Sequence, residues 1–184
     1  MADHMAAEIH IGGKIRRSVA QALCKVIARA GVSLEWGGGQ YRPDAPDDLL
    51  PARSAAPGEP LLLKLYDDQA RYAEFDSLET FLRKHGIPYS RWGEGKYEYD
   101  PEVVVFRPGR KLLSWPTNHD QQPVVSAFQL TPIEAKLTNL VEALKRGKAE
   151  AVEVIAQIED IRQQLRAELP PAVPAMESLE IVED

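Results

Sequence analysis

The sequence is poor in the residues on which the common chemistries run. Cys24 is its single cysteine, which excludes an intramolecular disulfide and any zinc site built on paired cysteines. There are four histidines, His4, His10, His85 and His119, scattered along the chain. None can be assigned to Cys24 as a base, so the thiol reads as a small buried hydrophobe on the first helix. No apolar run approaches the roughly 18 residues of a membrane-spanning helix, and no membrane contact is expected. The opening MADHMAAEIHIGG has no basic region followed by an apolar core, so a secretory signal is not expected and the cytoplasm is the default. Gly12-Gly13-Lys14 invites a phosphate-loop reading, but the earlier glycine is missing and no Ser or Thr follows Lys14. A plain strand-to-helix turn is the expectation there. The RNA-recognition consensus, with its glycine and paired aromatics, is also absent.

What remains is an ordinary globular composition, 44% hydrophobic and 27% charged over 184 residues. That length suits one domain with a sizeable core plus an appendage. The net charge of −6 is uneven: residues 1–128 carry 16 basic and 17 acidic side chains, whereas residues 129–184 carry 6 and 11. The acidity therefore lies in the C-terminal part.

Leu61 to Tyr99 is the most organised stretch. Leu61 to Tyr66 is a short apolar run that suits a strand buried on both faces. Asp76 or Ser77 can cap a following helix whose stripe is Leu78, Phe81 and Leu82, with Gly86 at its end. Tyr89 to Trp92 and Lys96 to Tyr99, flanking Gly93-Glu94-Gly95, signal a β-hairpin. Before this unit, Glu8 to Ile11, a helix from Ser18 to Ala30 and Val32 to Trp36 read as β-α-β. Gln40 to Pro60, rich in Pro, Asp and Ala, is a long excursion. After the unit come strands at Val103 to Phe106, Leu112 to Trp115 and Val124-Val125.

Thr131-Pro132-Ile133-Glu134 predicts a helix start, and a second helix runs from about Lys148 to Glu168 before Pro170-Pro171. The fold class is therefore α+β: β-α-β repeated around a mixed sheet, a ferredoxin-like sandwich being compatible, with an appended C-terminal αα-hairpin. The expected divisions are an α+β domain over 1–128, the helical hairpin over 129–169, and a disordered or extended acidic tail over 170–184.

Several residues invite chemistry. Asp67 and Asp68 end a strand, and His119 and Asp120 occupy a loop, so the four are candidate metal ligands of a hydrolase or nuclease, though without a recognised spacing. Arg91, Trp92, Lys96 and Tyr97 interleave basic and aromatic side chains as a single-stranded nucleic-acid surface requires. Leu179, Ile181 and Val182, set among acids, form a segment able to add as a strand to another protein's sheet edge. Val152, Ile155 and Ile158 widen the apolar sector of the last helix beyond a pairwise seam, which suits a homodimer through residues 131–168.

The segments EWGGG, DDQARYAEFDSLETFLRKHGIPY, GKYEYDPEVVVFRPG and TNHDQQPVV resemble uncharacterised bacterial or mobile-element proteins over most of residues 1–128. That resemblance implies no activity, cofactor or catalytic residue. The expectation is a cofactor-free protein-binding or adaptor protein, with nucleic-acid binding and metal-dependent hydrolysis as its alternatives.

Overall fold

Strand β1 (His4–Ile11) carries Ala7, Ile9 and Ile11 on one face, and none of the three has exposed surface. In the computed structural model, which describes residues 3–51, 58–96, 100–147 and 150–184, the rest of the first unit is built on that face. β1 turns at Gly12-Gly13 into a short strand, β2 (Lys14–Arg16), which runs directly into helix α1 (Arg17–Ala30). Ala20, Leu23, Cys24 and Ile27, spaced by three and four, are the buried line of α1, and Gly31 in the left-handed region ends it. A short 3-10 turn (Pro46–Leu49) follows, then β3 (Leu63–Arg71), α2 (Asp76–Lys84), β4 (Tyr89–Gly93), β5 (Glu102–Phe106) and β6 (Leu113–Pro116). Leu63, Leu65, Ile9, Ile11 and Tyr89 share one core cluster with Leu23 and Ile27 of α1 and Leu78 and Leu82 of α2. Both helices thus cover the same face of the sheet.

The strand order is β3-β1-β4-β5-β6. Every neighbouring pair in it is antiparallel. This corrects the expected mixed sheet, because β-α-β units would place parallel strands side by side. Leu61 to Tyr66 is also not buried on both faces: β3 is an edge strand with Leu63 and Leu65 inward and Lys64 outward. Val32 to Trp36 makes no strand beyond a single bridge from Ser33 to Tyr66. The partner of β4 is β5, with Gly93 opposite Glu102, so the connection is longer than Gly93-Glu94-Gly95. Tyr97 and the rest of the expected strand up to Tyr99 lie outside the described residues.

A second unit comprises Pro123–Ala172, and the first is Met1–Gln122 together with Val173–Asp184. The second holds α3 (Ala127–Lys145) and α4 (Ala151–Glu168). Lys136 pairs with Asp160 at 3.0 Å and Gln129 donates to Glu168 at 2.7 Å. As numbering rises on one helix it falls on the other, so the two run antiparallel. The start of α3 is five residues earlier than Thr131 as a cap predicts, with Ser126 at the cap position. Ser126 accepts from the Phe128 amide while Gln129 accepts from the Ser126 amide, a reciprocal cap that leaves Pro132 inside the helix. No helix among the described residues is long and apolar enough to cross a membrane.

Charged groups lie inside the first unit, Arg91 and Glu79 among them. Arg91 occupies the inward row of β4, beside Ile9, and is 3% exposed. Its Nη2 donates to Glu102 Oε1 at 2.6 Å and its Nη1 to the Ala73 carbonyl at 2.7 Å. Its Nε sits 3.0 Å from Glu79 Oε1, close enough for an ion pair without hydrogen-bond alignment. Glu79, on α2, also accepts from the Tyr89 hydroxyl at 2.9 Å. Burial, with Glu79 beside it, pushes the Tyr89 phenol well above its ordinary range. Replacing one partner of such a network strands the others in low dielectric, so Arg91→Leu is expected to cost about 3–5 kcal/mol in urea unfolding. Adding Glu79→Leu should recover part of that loss; a single variant within about 0.5 kcal/mol of the parent contradicts the assignment.

Candidate functional site

Helix α1 begins badly on its own. Arg16 at its cap position supplies no side-chain hydrogen bond, no acidic residue occupies its first turn, and Arg17 puts a cation at the positive end of the helix dipole. The deficiency is met from the far end of the chain. Asp184 accepts from the Ser18 amide at 3.2 Å and from the Ser18 hydroxyl at 2.5 Å, as a capping residue does. Glu183 pairs with Arg17 at 3.3 Å, and Asp47 reaches the same guanidinium at 3.2 Å. The Asp47 hydrogen bond first, and Glu183 after it, hold the Arg17 guanidinium above its ordinary range.

The segment that brings these acids is strand β7 (Glu180–Val182), which pairs parallel with β2: Lys14 lies opposite Glu180, Ile15 opposite Ile181, and Arg16 opposite Val182. The residues expected as a disordered tail are thus seated on the first unit. Leu179 enters the core at 4% exposure, and Ile181 packs partly buried against it. The Glu180 amide donates to the Gly13 carbonyl, the Gly13 amide to the Glu177 carbonyl, and the Leu179 amide to the Leu61 carbonyl. Ser178 Oγ accepts from the Leu61 amide at 3.0 Å. A Cβ on Gly12 would stand 2.4 Å from the Glu177 carbonyl oxygen. Gly13 has φ +78, and a Cβ there would meet Pro88 at 2.9 Å. The two glycines therefore admit the tail's backbone and the turn from β1 into β2.

One cavity borders the C-terminal segment and a second borders its partner strand β2. One, of about 390 Å³, is bordered by Lys14, Arg107 and Arg110 and by Pro174 to Glu177 of the tail. The other, of about 370 Å³, is bordered by Lys14, Arg16, Lys84 and His85 with Ile15 and Ile87, and no carboxylate lines it.

The second unit presents a different surface. Leu140 is the one buried residue of α3, and α4 has none among the described residues. Phe128 is 90% exposed, Val152 80%, Ile155 67% and Ile158 50%, with Leu137, Val141, Leu144 and Leu165 each about half exposed. Leu137, Val141 and Leu144 fall on one line of α3, and Ile155, Ile158 and Leu165 on one line of α4.

The other sequence candidates do not converge. Asp67 and Asp68 lie inside β3, not at its end; Asp67 accepts from the Gln69 amide of its own strand and Asp68 from the Gly37 amide. His119 and Asp120 are exposed in a loop folded around Asn118, whose Oδ1 accepts from the amides of Asp120 and Gln122. No group of three or more His, Cys, Asp or Glu able to hold a metal occurs among the described residues. Arg91 and Trp92, neighbours on β4, point to opposite faces, and Arg91 is the buried ion-pair centre already described. Its guanidinium is already engaged by Glu79, Glu102 and the Ala73 carbonyl. Lys96 donates to the His4 carbonyl at 3.5 Å.

Trp92 faces away from the helices, in a row that reads Tyr66, Glu8, Trp92, Val103 and Trp115 across the strands. Glu8 accepts from Gln121 Nε2 at 2.7 Å and lies 3.6 Å from His10 Nε2. Burial lowers the His10 pKa; Glu8 opposes that shift and Lys64 adds to it. The fold therefore favours neutral His10, and the unfolded chain binds more protons below the ordinary value of 6.5. Stability from this group is full above that value and is lost as pH falls through the folded pKa. Between about pH 7.5 and about pH 5 the wild-type melting temperature should fall further than that of His10→Asn. Equal falls in the two proteins would remove His10 from the account.

Comparison with protein-family models, with curated proteins and with solved structures finds no match for this chain, so its own surfaces carry the functional argument.

Proposed function

We propose that the chain is a non-enzymatic adaptor of the cytoplasm that works by contact with other proteins, and that α3 and α4 form an αα-hairpin through which two copies assemble. The observation supporting this reading is the aliphatic surface that each helix leaves exposed. The residues Leu137, Val141, Leu144, Val152, Ile155, Ile158 and Leu165 lie 40% exposed or more. Covering them with the same residues of a second copy makes a four-helix bundle, the usual solution for two-helix units. Fully burying one aliphatic side chain is worth about 1.5–3 kcal/mol, and association costs about 4–15 kcal/mol. Seven partly exposed residues on each of two copies are enough to offset that cost.

The expected result in light scattering with chromatography is a dimer of the full chain. Ile155→Glu with Ile158→Glu should weaken it by about a hundredfold or more, since charges would then occupy the centre of the apolar interface. The far-ultraviolet spectrum should be unchanged. A wild-type chain that is monomeric at every concentration, or a double variant that dimerises like the parent, contradicts the proposal.

A further inference from the structure

We infer that the groove bounded by β2, Leu61-Leu62 and the start of α1 is a docking site for an extended acidic–aliphatic peptide of a partner protein, with the chain's own residues 177–184 as a displaceable resident. This deepens the adaptor reading by naming the chemistry of a partner, but it rests on the first unit and not on the helical pair.

Three observations carry it. The seat is made largely of backbone groups: the amide and carbonyl of Gly13 and the carbonyl of Leu61 bond the tail's main chain, and the Leu61 amide bonds the Ser178 hydroxyl. Main-chain pairing of this kind accepts any strand of suitable side-chain pattern. The pattern is set by two features. Leu179 and Ile181 turn toward the core, and Glu180, Glu183 and Asp184 meet Lys14, Arg17 and the Ser18 amide. An aliphatic residue at every second position with acids around them is what this site selects.

The resident is also shallowly held. Leu179 is the only buried residue of 177–184, and the ion pairs are exposed, the kind that contribute little and weaken with salt. Its link to the second unit passes through Leu169-Pro170-Pro171-Ala172-Val173-Pro174, a proline-rich segment that cannot propagate helix α4 into the strand. Finally, the resident leaves positive charge unused. Arg16 and Lys84 border the carboxylate-free cavity and form no ion pair with any carboxylate among the described residues. A partner peptide with a further acid reaching that cavity gains a contact the tail does not make, which is how it would win against a tethered competitor.

The probe is a fluorescein-labelled MESLEIVED peptide, the sequence of residues 176–184, titrated by anisotropy into the full chain at low salt. Wild type, whose own tail fills the groove, should bind it at least about tenfold more weakly than full-length Leu179→Asp, in which the resident is unseated. Arg17→Glu in the Leu179→Asp background should weaken binding, and added salt should weaken it further. The Ile155→Glu, Ile158→Glu chain should bind like its parent, so that failure of dimerisation and failure of this site are told apart. Absence of binding by folded Leu179→Asp, or binding indifferent to Arg17→Glu, overturns the inference. Should Leu179→Asp unfold, hydrogen exchange on wild type decides: the Glu180 amide must exchange at least about a hundredfold faster than the Ile9 amide. Equal rates would make β7 an integral strand and defeat the proposal.

Discussion

Strand β1 is paired on both edges, by β3 and by β4, and its inward residues Ala7, Ile9 and Ile11 must be kept from water. Much of the first unit follows from that demand. Covering β1 requires both α1 and α2 on one face, and register then decides every neighbour: the residue opposite Ile9 on β4 is Arg91, so a guanidinium enters the core and needs Glu79, Glu102 and the Ala73 carbonyl around it. The residue opposite Glu8 is Trp92, which is thereby sent to the other face. One register assignment separates the two members of the expected basic–aromatic pair.

The same constraint sets the electrostatics of the chain end. Because β1 is followed at once by Gly12-Gly13 and β2, α1 starts with Arg16 and Arg17 and has no local cap. The acidic surplus of residues 129–184 has a structural use at that point, since Glu180, Glu183 and Asp184 lie against Lys14, Arg17 and Ser18. Charge that reads as a solvated tail in composition is complementary to a helix start more than 160 residues away.

Elements governed by local pattern were readable in the sequence. The stripe of Leu23 and Ile27 with Gly31, and that of Leu78 and Leu82 with Gly86, gave α1 and α2; Gly12-Gly13 makes a turn, but into β2 and not straight into α1. The cap of α3 was readable too: Ser126 and Gln129 have the capping-box spacing, but Thr131-Pro132 offered a competing start that proline at the first helical position made attractive. Pairing between distant strands was not readable. Nothing local in Val103 to Phe106 says that it pairs with β4. Nothing in Leu179 to Val182 says which edge it joins, although an uncapped α1 beginning with two arginines was the available hint. Asp67, Asp68, His119 and Asp120 were plausible ligands by residue type alone; Asp67 and Asp68 accept from backbone amides, and Asp120 donates within its own loop.

The two units differ in how far they satisfy themselves. The first has a closed core, whereas α3 and α4 leave aliphatic lines in water that a second copy can cover, and assembly through them is the central claim. Hydrogen exchange of the full chain measured across a wide range of protein concentration tests it most directly. Amides of α3 and α4 should become more protected as concentration rises, whereas those of β1 stay constant. Protection of the helical pair that does not depend on concentration would contradict the account.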